Sequence, residues 1–240
     1  MSRKPTPAAP HPPAARVPPS PRARGEGGGE GQPHNVRQLE YLKDPAEITR
    51  RSLALIREEA DLARFPRSFT PLALRLAHAA GDCAILGDLA WSKGAVAAGR
   101  KALAAGAPIL VDAAMVAAGI MTDPSRVVCT LRDPEIAQVA AAQRTTRSAA
   151  AVERWRPYLA GAVVAIGNAP TALFRLLELL ASGVPKPALV LGFPVGFVGA
   201  AEAKAALADF GRGLEFITLR GRRGGSALAA AAVNALAGAP

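Results

Sequence analysis

The chain has only two cysteines in 240 residues, Cys83 and Cys129. Neither belongs to a C-x-x-C pair or a His/Cys cluster, which argues against a disulfide framework and suggests no zinc site. Histidine is as scarce: two of the three, His11 and His34, lie near the N-terminus, leaving His78 alone in the rest of the chain. Aromatic residues make up 5%, too few for a sandwich built on aromatic and β-branched strands. No uncharged apolar run free of Gly and Pro is long enough to span a bilayer, since even Leu176 to Leu191 is cut by Glu178, Pro185, Lys186 and Pro187. Thr49-Arg50-Arg51-Ser52-Leu53 has the outline of a twin-arginine export signal. The residues that follow, Arg57, Glu58, Glu59 and Asp61, are charged where an apolar region is needed, which excludes export and fits reduced cytoplasmic thiols. Both phosphate-binding patterns, G-x-G-x-x-G and G-x-x-x-x-G-K-[ST], are missing, so nothing points to a dinucleotide or P-loop site.

Half of the residues are hydrophobic, and alanine is abundant, which suits closely packed helices around one sizeable core. The formal charge is +10, a balance that fits nucleic acid, an anionic membrane or a multiply anionic small molecule. The positive residues are scattered through periodic segments, with no lysine-rich block and no interleaved aromatics, which speaks against nucleic acid.

Residues 1 to 35 are Pro, Ala, Gly and Arg with almost nothing large and apolar, and such a segment cannot offset its ordering entropy. It is expected to be a disordered tail, with a single domain over residues 36–240. From Asp44 the text changes. Asp44-Pro45 with Glu47 three residues on marks a helix N-terminus, and Ile48, Ser52, Leu55, Ile56 and Leu62 follow at helical spacing. A second helix is expected from Thr70-Pro71 to Ala80, stopped by Gly81. Beyond it come short runs rich in Val, Ile and Leu at 107–111, 126–130, 162–166, 188–191 and 214–219, separated by alanine-rich helical text. That alternation predicts an α/β fold with a mostly parallel sheet covered by helices on both faces, with ligands beyond the carboxyl ends of the strands. Three strand ends run into glycine turns, at Gly167–Thr171, Gly192–Gly199 and Arg220–Ser226. Such turns either hold an anion on backbone N–H groups or simply reverse the chain.

His78 is the one side chain of the domain whose ordinary titration suits proton transfer near neutrality, and Arg75, three residues earlier, shares its helix face. Spacing alone favours a structural histidine. Arg147, opening a helical stretch after Thr146, reads by itself as an ordinary exposed arginine, and Ser52 as a polar residue on a helix face.

The segments Asp112–Val116, Cys129–Pro134, Thr146–Ala151, Leu159–Leu173, Leu191–Ala201 and Arg220–Ala227, in that order, resemble the precorrin-8X methylmutase family closely. The likeness runs from Tyr41 to the C-terminus. Ala80 stands where the family has a cysteine, and the loop from Gly119 to Arg126 is shorter. The resemblance implies a flavodoxin-like three-layer α/β/α fold, a homodimer with ligand pockets near the subunit interface, and no metal or organic cofactor. It also implies an isomerase of cobalamin biosynthesis, which moves a methyl group from carbon 11 to carbon 12 of a corrin precursor. By the same resemblance His78 would be the catalytic acid/base, and Ser52, Arg75 and Arg147 would bind the substrate. A substrate carrying many carboxylates would also account for the positive charge.

Overall fold

The computed structural model describes residues 40–211 and 213–238; the expected tail at 1–35 lies outside them. The compact unit runs from Leu42 onward. It opens with helices α1 (Pro45–Glu59) and α2 (Thr70–Ala80). Asp44 caps α1 by accepting from the Glu47 N–H at 3.0 Å, and Gly81 ends α2 in the left-handed conformation (φ 63°). Both ends lie where the Asp-Pro and Gly signals place them. A 3₁₀ turn (Cys83–Asp88) then leads into a short strand, β1 (Leu89–Trp91).

From there strands and helices alternate, with two helices between β3 and β4: α3 (Ala95–Ala104), β2 (Ile109–Val111), α4 (Ala114–Gly119), β3 (Val127–Val128), α5 (Ile136–Ala142), α6 (Arg147–Glu153), β4 (Val163–Ile166), α7 (Pro170–Ala181), β5 (Leu189–Gly192), α8 (Ala200–Asp209), β6 (Phe216–Leu219) and α9 (Ser226–Ala237). Each of β2 to β6 falls within or within one residue of a predicted apolar run. Every residue of β2, β4 and β5 is buried, as a strand covered on both faces requires.

The sheet order is β1-β6-β5-β4-β2-β3, with β2 to β6 parallel and β1 antiparallel to β6. Counted by themselves, the five parallel strands run 2-1-3-4-5, the flavodoxin order, and winding reverses between β2 and β4. One core layer packs α2, α3, α4 and α9 against Ile109, Val111, Val163, Ala165, Leu189 and Leu191. The other packs α7 and α8 against Leu110, Val164, Ile166 and Val190. Successive strand residues thus feed opposite layers, which gives the three-layer α/β/α architecture.

β1 was not expected from the sequence. It is three residues long and its place is set by pairing, Leu89 opposite Leu219 and Trp91 opposite Ile217, rather than by any local pattern.

Candidate active site

All five parallel strands end on the same edge, and β1, running the other way, starts there. Among the described residues, two cavities hold side chains that the sequence singled out.

The first lies at the switch point between β2 and β4. About 560 Å³ in volume, it is lined by Ala114 and Met115 after β2, by Arg132 and Asp133 after β3, by Asn168 after β4, and by Arg147. The lining residue Asn168 is held from behind the surface by Asp112, the residue after β2, which is 2% exposed. The Asp112 carboxylate accepts from the backbone N–H of Gly167, Asn168 and Ala169 at 2.9, 3.0 and 2.7 Å. The glycine turn after β4 therefore does bind an anion, but the anion is the chain's own carboxylate. Burial pushes the Asp112 carboxyl up, and the three donors pull it part of the way back. Gly167 is required here, because a Cβ would stand 2.7 Å from Cα of Ser226. The other two glycine turns spend donors on each other: Gly225 N–H donates to Phe193 O at 2.8 Å and Gly196 N–H to Arg222 O at 3.2 Å. At these positions the chain-reversal reading of the glycines is the right one.

Arg147 is exposed at the first turn of α6, where Thr146 Oγ1 caps the helix by accepting from Ala149 N–H at 3.1 Å. With Asn168 opposite it, the cavity offers a cation and an amide to a carboxylate.

The second cavity, about 170 Å³, is formed where α1 crosses α2, and Ser52, Glu59, His78, Asp82 and Cys83 line it. Ser52 Oγ lies 2.7 Å from His78 Nδ1. One ring nitrogen of the exposed His78 is thereby occupied by the serine, and Nε2 is the nitrogen left for a ligand. When the Ser52 hydroxyl donates to Nδ1, the neutral ring carries its proton on Nε2; in the imidazolium, Nδ1–H donates back to Oγ. Asp82 is itself held, accepting from Ala84 N–H at 2.7 Å. Burial pushes the Cys83 thiol up, and the charge and hydrogen bond of Glu59 push it further. Cys83 thus stays a thiol rather than a nucleophilic thiolate.

The tertiary structure brings Ser52 and His78 together across 26 residues of sequence. It does not bring the two arginines to them. Arg75 is half-buried on α2 and lines neither cavity, and Arg147 belongs to the first cavity alone. Two features of this edge escaped the reading of the sequence. Asp112 had one visible signal, an acid directly after a fully apolar strand. Lys204 had none: on α8, it is 0% exposed, and its ammonium donates to the Arg223 carbonyl. Burial pulls Lys204 down to about 8.

A family model described as precorrin-8X methylmutase matches residues 47–239. The precorrin-8X methylmutase of Pseudomonas aeruginosa is 56% identical over 203 residues, covering 83% of this chain and 98% of that protein. The one from Sinorhizobium sp is 52% identical over 204 residues, 83% of this chain and 97% of its own length. Among solved structures, the precorrin-8X methylmutase from Thermus thermophilus aligns with a TM-score of 0.71 at 42% identity, over 80% of this chain and 94% of that one. With the flavodoxin strand order and a histidine–serine pair at its carboxyl edge, the chain belongs to the precorrin-8X methylmutase family, isomerases of cobalamin biosynthesis.

Proposed function

We propose that the chain moves the methyl group on carbon 11 of precorrin-8X to carbon 12, giving hydrogenobyrinic acid, or performs the same shift on the cobalt-containing precursor, with His78 as the proton donor. The observation that carries this reading is the 2.7 Å contact between Ser52 Oγ and His78 Nδ1. It fixes the imidazole and leaves Nε2–H to face a ligand, the arrangement a general acid needs. Protonation makes the conjugated macrocycle electron-poor. The bond from methyl to carbon 11 then breaks as the bond to carbon 12 forms, in a [1,5] rearrangement, and the proton returns to His78. No atom is gained or lost. In this reading Ser52 acts on the histidine rather than on the substrate.

The His78 cavity, about 170 Å³, is too small to enclose a tetrapyrrole, since sites that enclose a ligand run to roughly 300–1,000 Å³. The reading therefore includes a cytoplasmic homodimer in which a second copy closes the site. Incubation with precorrin-8X should yield coloured, tightly bound hydrogenobyrinic acid. A chain starting at Asn35 should do so with unchanged kcat/KM, because the composition of residues 1 to 35 cannot build part of a packed pocket. No product from either chain would refute the function; product from the full chain alone would assign the tail a role in the site.

Arg75 and Arg147 are proposed to hold carboxylates of the corrinoid. Replacing either with Ala should weaken product binding by about 1.5–3 kcal/mol, with Lys restoring only part because the bidentate geometry is lost. Calorimetric titration with hydrogenobyrinic acid measures this, and unchanged affinity in both variants would remove the two arginines from the site.

A further inference from the structure

The turn between β6 and α9 is tied down through both ends of one residue. The backbone carbonyl of Arg223 accepts from the ammonium of Lys204, which has no solvent exposure. The Arg223 side chain reaches the other way: Nη1 donates to Asp82 Oδ2 at 2.6 Å and Nη2 to Asp88 Oδ2 at 2.7 Å, with a longer bond to the Ala84 carbonyl at 3.3 Å. Asp82 follows the glycine that ends α2 and lines the His78 cavity. Asp88 closes the 3₁₀ turn, and its carbonyl accepts from Arg220 N–H at 2.8 Å. On the far flank, Gly224 packs so closely on the carbonyls of Phe193 and Pro194 that no Cβ fits.

Exposed ion pairs contribute little to stability, and a lysine buried against a single carbonyl costs stability. Neither is needed to hold a surface turn, which the Phe193–Gly225 and Arg222–Gly196 backbone bonds already anchor. What Arg223 and Lys204 add are further ties: the guanidinium joins that turn to Asp82, just past the helix bearing His78, and the ammonium joins it to α8.

We propose that Arg223 is a positioning residue of the isomerase: clasped by Lys204 at its carbonyl and by Asp82 and Asp88 at its guanidinium, it fixes the 220–225 turn against the end of α2 and so sets where His78 stands relative to the bound ring. The proposal rests on the reading of His78 as the proton donor. A shift of about 1 Å between donor and reacting atom is enough to cost on the order of 100-fold in rate.

Arg223→Ala should therefore slow single-turnover conversion by roughly 10- to 100-fold while leaving affinity for hydrogenobyrinic acid within about threefold. Arg223→Lys should recover part of the rate, because lysine keeps the charge but loses the planar fork that presents separate N–H groups to Asp82 and Asp88. Asp82→Asn should slow the reaction too, and adding it to Arg223→Ala should cost less than the two losses combined, the mark of one shared interaction. A wild-type rate in Arg223→Ala overturns the proposal, as does lost affinity with the rate intact, which would make Arg223 a substrate ligand. Should Arg223→Ala not fold, Arg223→Lys and Asp82→Asn decide, and wild-type rates in both overturn it. Amide hydrogen exchange separates the clasp from the acid: even if His78 proves dispensable, Arg223→Ala must speed exchange both in the 220–225 turn and at the end of α2. Faster exchange confined to the turn refutes the link.

Discussion

His78→Ala is expected to fold and bind hydrogenobyrinic acid almost normally while converting precorrin-8X roughly two to four orders of magnitude more slowly, the usual scale for losing a general acid. The folding half of this expectation follows from position: the ring is exposed, and its one hydrogen bond within the described residues is to a half-buried serine on the neighbouring helix. The kinetic half follows from scarcity and geometry. His78 is the only histidine beyond the first 34 residues, and Cys83, which shares its cavity, is held as a neutral thiol. His78→Asn keeps much of the hydrogen bonding without the acid and should be slow as well. Stopped-flow absorbance of the corrin spectrum measures the single turnover. A wild-type rate in His78→Ala would make the histidine structural and end the acid mechanism, while the family assignment would stand.

Lys204→Met should make the protein more stable at neutral pH and less stable at strongly alkaline pH. Unfolded, the lysine keeps its proton to about 10.4; folded, burial pulls it down to about 8. Below pH 8 the folded protein carries a buried charge at full cost. Between 8 and 10.4 the unfolded chain binds more protons, so wild-type stability rises with pH, and above that range the penalty is gone. At 1.36 kcal/mol per pKa unit the penalty below pH 8 is on the order of 3 kcal/mol. Methionine removes it but leaves the Arg223 carbonyl without its donor, a loss of about 1 kcal/mol. The net gain at pH 7 is then roughly 2 kcal/mol, turning into a small loss above pH 10.4. Urea unfolding of both proteins at pH 7 and pH 10.5 tests the crossing. Equal destabilisation at the two pH values would show that the lysine is buried without electrostatic cost.

Much of this protein can be read from residue order alone. Asp44-Pro45 and Gly81 mark helix ends because capping needs only local atoms, a carboxylate three residues from an N–H or a residue without a Cβ. The runs at 107–111, 162–166 and 188–191 announce buried parallel strands because a strand covered on both faces must be apolar throughout. The family motifs are likewise stretches of consecutive residues, and through them the sequence singled out His78, Ser52, Arg75 and Arg147. Which of these meet was decided by the tertiary structure. Ser52 and His78 touch because α1 crosses α2, while Arg147 is carried to the switch point between β2 and β4. Pairing with β6 makes a strand of Leu89–Trp91, which carries no strand signal of its own. Asp112 takes three N–H groups from a turn more than 50 residues away, and Lys204 is buried beneath a carbonyl 19 residues on. The division has one physical cause. Caps and hydrophobic periods are satisfied within a few residues of chain, whereas the partner of a buried charge is chosen by whatever the packed fold brings within 3 Å.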